Sequence, residues 1–269
     1  MIRVSALSTA PLLLVLALLG SGCGGSDGAS GGGNKPAGGP GGDAGQPTGP
    51  DMKIDAGTAG SISGAVKFEG TPPTERVNSA EADAYCHGKH PDGIKSESSV
   101  IGAGGELANV FVWIKKGITG KFPLPSEPVT LRQTGCRYEP HVLGLRNGQE
   151  LLIRNEDETM HNVHSLPKAN EEFNFAQTKK GDEAKKKLSA QEVMVKFKCD
   201  AHGWMSAWVG VVNHPYFAVT GADGKFELKN VPPGEYEVEA WHEKFGKQQQ
   251  ALKVETKGDA KLSFTFKEN

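Results

Sequence analysis

The sequence predicts an all-β protein of two β-sandwich domains, one inserted in or following the other, and three observations lead to that fold class. Apolar and polar residues alternate with a period of two in run after run from Ser61 onward. Turn residues, among them Asn147-Gly148, Asp223-Gly224 and Pro232-Pro233-Gly234, punctuate those runs. The first strand signal is separated from the others of its kind by a stretch, residues 126–213, with a pattern of its own.

The elements follow in chain order. At 269 residues and a formal charge of −2, the chain has room for two ordinary domains and no basic excess that would suit nucleic acid. Arg3 is the one basic residue before an apolar run from Pro11 to Leu19, and Gly20-Ser21-Gly22-Cys23 follows. The run is too short to span a membrane as a helix and reads as a secretory signal. Residues 1–23 resemble a bacterial lipoprotein signal, which implies Cys23 as the acylated first residue of the mature protein and a membrane anchor in the cell envelope, facing the periplasm or the cell surface. An ordinary signal cleaved near Gly22 is the alternative, and either reading takes the protein out of the cytoplasm. No twin-arginine pair precedes the apolar run, which predicts export of an unfolded chain and loading of any metal outside. Residues 24–60 are dominated by Gly, Pro, Ser, Ala and Asp. Such a segment cannot offset its ordering entropy and reads as a flexible tether with a reach of roughly 35 Å.

Strands begin at Ser61. Ile62, Gly64, Val66 and Phe68 alternate with Ser63, Ala65 and Lys67, and Val110, Val112 and Ile114 form a second run. Beyond residue 213, Asp223-Gly224 predicts a hairpin between Phe217-Ala218-Val219 and Phe226-Glu227-Leu228. Tyr236, Val238 and Ala240 then face one way and Glu235, Glu237 and Glu239 the other, and Leu262, Phe264 and Phe266 close the chain. The phrase from Asp223 to Tyr236 and the opening Ile62-Ser63-Gly64-Ala65-Val66 resemble the carboxypeptidase regulatory-like, transthyretin-like β-sandwich. The resemblance implies that residues 61–125 and 214–269 are two parts of that sandwich, with residues 126–213 inserted between two of its strands. Surface loops of sandwiches tolerate such insertions.

The inserted segment has its own strands. Leu143 and Leu145, then Leu151 and Ile153, flank Asn147-Gly148, the strongest short hairpin signal. Asn155-Glu156-Asp157-Glu158 ends the second of these strands, and His161-Asn162-Val163 comes just after. Val193, Val195 and Phe197 lead to Cys199 at a strand end, and Trp208 to Val212 leave the following loop as another strand. One thiolate, two imidazoles and a thioether thereby gather from His161 and the loop Cys199-Asp200-Ala201-His202-Gly203-Trp204-Met205. This donor set suits a single type 1 copper ion: sulfur ligands favour Cu(I), imidazole accepts both oxidation states, and a shared trigonal geometry keeps rearrangement small. On an extended backbone His164 faces away from His161 and is expected to be no ligand.

Residues 126–213 look like a cupredoxin of the plastocyanin and amicyanin group, on Gly148-Gln149, Asn155, His161-Asn162-Val163 and the Cys199 to Met205 loop, whose short spacing is most similar to amicyanin. The resemblance implies a Greek-key sandwich with Cys199 as thiolate, His161 and His202 as imidazoles and Met205 as weak axial ligand. It also implies that Asn162 braces the ligand loop through backbone hydrogen bonds. Asp200 and Gly203 depart from the residues usual at their places and bear on the stiffness of the loop without removing a ligand.

Cys86 and Cys136 remain. In an oxidising compartment the expectation is a disulfide tying the outer sandwich to the insert. A second metal site made from Cys86, His87, His90, Cys136 and His141 is the alternative. Trp204 and Trp208 could couple the metal to a partner or simply pack, and Lys179, Lys180 and Lys185-Lys186-Lys187 could dock an acidic partner or form a solvated face. Two functions are compatible with these features. One is a membrane-tethered carrier of single electrons that serves a redox protein of the cell envelope. The other is a copper-binding, delivery or sensing module whose outer sandwich adheres or binds a partner. An enzyme is not expected: multicopper oxidases and copper nitrite reductases need a second, histidine-rich site, and the chain has no His-Cys-His run.

Overall fold

The structure is a computed structural model describing residues 50–268. The segment expected to be a signal, the expected acylation position Cys23 and most of the expected tether lie outside the described residues. Among the described residues no helix is long and apolar enough to cross a membrane. Among the described residues the chain is all-β apart from one short helix, and its first elements are β1 (Gly60–Phe68), β2 (Val77–Asn78), α1 (Ala84–Lys89), β3 (Ile94–Lys95) and β4 (Phe111–Lys116). Next come β5 (Val129–Thr134), β6 (Arg137–Glu139), β7 (Val142–Arg146), β8 (Glu150–Asn155) and β9 (His161–Leu166). They are followed by β10 (Asn174–Gln177), β11 (Glu183–Lys187), β12 (Glu192–Lys198) and β13 (Ser206–Val212). The last strands are β14 (Phe217–Val219), β15 (Lys225–Val231), β16 (Gly234–His242), β17 (Gly246–Val254) and β18 (Asp259–Phe266).

Two sandwiches result. The outer one stacks the sheet β15-β1-β18 on the sheet β14-β4-β16-β17. Between them lies a core that includes Ile62, Val66, Val112, Ile114, Val238 and Phe264, each 1% exposed or less. These are the inward members of the alternating runs, as a half-buried pleat requires. The inner sandwich stacks the five strands β10-β9-β12-β13-β7 on the four strands β11-β8-β5-β6 and buries Leu145, Leu151, Ile153, Val163, Val195 and Phe197. Every inner strand falls between β4 and β14, so the chain leaves the outer sandwich at Lys116 and re-enters it at Phe217.

Both turns read as hairpins join different sheets instead. β14 pairs with β4 and β15 pairs with β1, so Asp223-Gly224 crosses from one layer of the outer sandwich to the other. Thr220 fixes this: its amide donates to the Val110 carbonyl and its hydroxyl accepts from the Val110 amide, holding the β14 end on the β4 layer. Likewise β7 pairs with β13 and β8 with β5 and β11, so Asn147-Gly148 crosses between the inner layers. The Asn147 amide donates to Val212 in one layer and the Gly148 amide to Leu188 beside the other. The physical reason is shared. Apolar residues on both sides of each turn, Leu145 and Leu151 in one case and Ala218 and Leu228 in the other, pack into one core from opposite layers, which two strands of one hairpin on one sheet face cannot achieve.

The two sandwiches meet on a second face of β4. Phe111 and Trp113 point away from the outer core and pack with Val142, Val212 and Trp241. Gly144 and Gly210 make this contact possible, because a Cβ on either would stand within 2.7 Å of the Phe111 ring. Glu239 is 1% exposed on this side of β16, where Lys115 and the Trp113 indole donate to its carboxylate.

Candidate metal centre

β9 begins at His161 and alternates strictly: His161, Val163 and Ser165 are buried, while Asn162 and His164 are half-buried on the other face. β12 ends at Lys198, leaving Cys199 at the start of the loop that returns to β13. The loop is closed by its own backbone, with the Cys199 amide donating to the Met205 carbonyl and the Met205 amide to the His202 carbonyl. The structure therefore brings His161, Cys199 and His202 together with one ligand atom from each within 4.8 Å of the others. His161 Nδ1 lies 3.0 Å from His202 Nδ1, and His202 Nδ1 lies 3.6 Å from Cys199 Sγ. All three are nearly inaccessible to solvent. Met205 is equally buried on the same loop and belongs to the same apolar cluster as Cys199.

Asn162 spans the site's rim. Its amide donates to Cys199 Sγ at 3.2 Å, and its side-chain oxygen accepts from the Asp200 amide at 3.0 Å. Tyr138 donates its hydroxyl to the Asn162 carbonyl, clamping β9 to β6. Burial alone would push the Cys199 thiol up, but His202 and the Asn162 amide outweigh it and hold it below the ordinary thiol range. His164 sits outside the cluster, bound to Asp200 and Glu172 at 2.9 Å each.

Two carboxylates that the sequence reading did not assign hold the outer nitrogens of the imidazoles. Asp157 Oδ2 lies 2.9 Å from His161 Nε2 and also accepts from the Cys136 amide, while Asp157 Oδ1 accepts from the Gly135 amide. Burial raises the Asp157 carboxyl, and His161 and these amides bring it below the usual carboxylate range. Asp83 Oδ2 lies 3.3 Å from His202 Nε2 and is likewise held low against burial by the Cys86 amide, Thr159 and His202. An Asp four residues before a ligand-type His was a readable signal for Asp157. Nothing local could have found Asp83, which is 119 residues from His202.

Cys86 and Cys136 are joined as a disulfide, both fully buried. Closing a separation of 50 residues, such a bond is worth roughly 2–4 kcal/mol by loop entropy. His90 is bound to the Gly135 carbonyl and His141 to the Ser206 carbonyl and the Glu243 carboxylate; His87 is exposed. Lys185, Lys186 and Lys187 lie on β11 at a sheet edge, where Lys185 pairs with Glu150 and Lys186 covers the Phe173 and Phe175 rings. Trp204 places its ring 5.0 Å from His202 and donates to the Cys136 carbonyl. The Trp208 ring packs at a tilt of 59° against that of Trp241, centroids 5.0 Å apart, between the two sandwiches. Beside the cluster, a groove of about 420 Å³ opens along Cys199, Gly203, Trp204 and Met205.

Comparison with known proteins adds the following. Residues 214–264 match the family model described as the second β-sandwich domain of the BOS complex subunit NOMO1-like proteins. No curated protein matches the chain. Among solved structures, the chain is similar to a Cu-containing nitrite reductase from Thermus scotoductus SA-01, with 20% identity over 38% of this chain and 25% of that one and a TM-score of 0.31. It is similar to a purple cupredoxin from Nitrosopumilus maritimus, with 22% identity over 30% of this chain and 97% of that one and a TM-score of 0.26. A single-residue variant of amicyanin in its Cu(I) form gives 19% identity over 31% of this chain and 81% of that one, at a TM-score of 0.27. The chain thus spans a quarter of the length of the nitrite reductase.

Proposed function

We propose that this chain is a type 1 copper protein that carries single electrons in the cell envelope, tethered to the membrane through a lipid on Cys23. One observation carries the reading. Ionised Asp157 and Asp83 accept from the Nε2 atoms of His161 and His202, so in the neutral rings both Nδ1 atoms present lone pairs. Those lone pairs face each other across 3.0 Å beside a thiol whose ionisation is favoured, a buried arrangement that a soft cation would satisfy. Carboxylates on the outer nitrogens are the usual support of metal-bound imidazoles. The thioether of Met205 on the same loop suits copper rather than zinc, which takes Cys, His and carboxylate ligands.

His161, Cys199 and His202 would hold the copper, with Met205 as the weak axial donor. Bound there, copper supplies a one-electron couple between Cu(I) and Cu(II). The protein's part is to keep the donors from moving. Asp157 and Asp83 fix the ring orientations, the Asn162 amide fixes the sulfur, and the apolar cluster of Leu145, Val163 and Phe197 keeps water out. The electron partner would be a redox protein of the envelope.

Titration of the full chain with Cu(II) tests the reading. Uptake of one copper per chain, an intense visible thiolate-to-copper absorption and a reversible one-electron wave are the expected results. A colourless complex would rule out the type 1 site, and loss of copper on reduction would favour copper delivery over electron carriage. Met205→Leu is expected to keep the colour and the copper while shifting the potential, because removing an axial thioether alters the balance of oxidation states without dismantling the trigonal plane. His164→Ala is expected to leave the visible spectrum unchanged and His161→Ala to bleach it or open it to added imidazole. A reversed pair of results would reverse the assignment on β9.

A further inference from the structure

The long connection from β1 to β4 belongs to the outer sandwich, yet it runs over the metal centre of the inner one. It carries α1, whose N-cap is Asp83. The Asp83 carboxylate is held from three sides: Oδ1 accepts from the Cys86 amide at 2.8 Å, and Oδ2 accepts from the Thr159 hydroxyl at 2.8 Å and faces His202 Nε2 at 3.3 Å. Three residues on, Cys86 is bonded to Cys136, whose amide binds Asp157, the carboxylate on His161. Tyr85 crosses from α1 to donate to Asp157 at 3.2 Å. The disulfide thus ties the segment that carries Asp83 to the one whose amide holds Asp157, the two carboxylates on the two imidazoles.

We propose that Asp83 is a positioning residue for His202 and that α1, stapled by the Cys86–Cys136 bond, closes the imidazole edge of the metal centre. The inference rests on the copper reading for its metal-binding consequence but not for the closure itself. His202 is 3% exposed, and its outer nitrogen is taken by a carboxylate from a different sandwich. An imidazole in that setting is not offered to solvent or to a flat partner surface. The groove along Cys199, Trp204 and Met205 is itself walled by Arg76, Asn78, Ser96 and Ser98 of the same connection. Without the Asp83 carboxylate, the His202 ring loses the anchor on its outer nitrogen and can turn about its χ2 bond, so both its protection and its ligand geometry weaken.

Two measurements on the full chain separate closure from copper binding. In the metal-free protein, diethylpyrocarbonate modification is followed peptide by peptide. His202 should react slowly in the native protein and much faster in Asp83→Ala and in the Cys86→Ser/Cys136→Ser double variant, while His141 and His214, buried elsewhere, stay protected and show that the fold is intact. In the copper-loaded protein, transfer of Cu(I) to a chelator should be about 10–100-fold faster in Asp83→Ala, with Asp83→Asn intermediate because its amide oxygen can still accept from Nε2. Equal His202 modification and equal copper release in the native protein, Asp83→Ala and Asp83→Asn would overturn the proposal. A native protein that protects His202 but binds no copper would overturn the copper reading and leave the closure standing.

Discussion

Replacing Cys199 with serine is expected to abolish the intense visible absorption of the Cu(II) protein. The absorption requires a thiolate bonded to copper, and Cys199 is the only free cysteine among the described residues. Cys86 and Cys136 are committed to each other, so neither can substitute. A serine hydroxyl is smaller and does not ionise at neutral pH, so the Asn162 amide, which donates to Sγ at 3.2 Å, loses a charged acceptor as well. His161 and His202 remain, and copper held by them alone would show only a weak, tetragonal-type spectrum and lower affinity. Absorption and electron paramagnetic resonance of the loaded variant check this. An intense band surviving in the serine variant would mean that another sulfur carries the site.

The second large effect is on stability in mild acid. His214 donates Nε2–H to the Ile114 carbonyl at 2.7 Å and accepts the Tyr216 amide on Nδ1 at 3.2 Å. His242 accepts the Lys244 and Phe245 amides on Nδ1. Both rings are committed to their neutral forms. Burial is the main reason that each is pushed down to about 4, helped by Arg146 beside His214 and by His141 and Lys244 near His242. The unfolded chain takes up protons at these positions below its ordinary value of about 6.5 and the folded chain does not, so stability falls as the pH drops from about 6.5 to about 4. Each histidine contributes about 3 kcal/mol across that window. His141 has the opposite sign. Burial alone would lower it, but Glu243 and Glu97 raise it, so its contribution is complete below about 6.5 and lost as the pH rises through its elevated folded value. Denaturant midpoints of the metal-free protein between pH 7 and pH 4 should therefore fall steeply, and His214→Gln with His242→Asn should flatten the slope. A midpoint independent of pH over that range would contradict the burial of neutral rings.

Much of this molecule was readable from its residues, and the unreadable part has a pattern. Alternation located β1, β4, β12, β16 and β18 because each has one face on a core, and the Cys199 to Met205 loop was readable because its donors are adjacent in sequence. Layer membership was not readable. Asn147-Gly148 and Asp223-Gly224 are tight turns as expected, but a turn dictates the reversal of the chain and not which sheet the next strand joins. Long-range polar partners escaped for a related reason: Asp83 reaches His202 across 119 residues, and the buried Glu239 on β16 looked like one more outward-facing glutamate until Lys115 and Trp113 of β4 were seen beside it.

The parallel ladder of β1 with β18 sets the order in which the emerging chain can become native. Ser61 pairs with Asp259 and Phe68 with Phe266, so the outer sandwich lacks one side of its first strand until nearly two hundred further residues have emerged. The inner sandwich has its last strand once Val212 has emerged. The inner sandwich can therefore assemble while its host is still half-built, and the connection bearing Asp83, which emerges before it, is at hand to cover His202 and to bring Cys86 to Cys136.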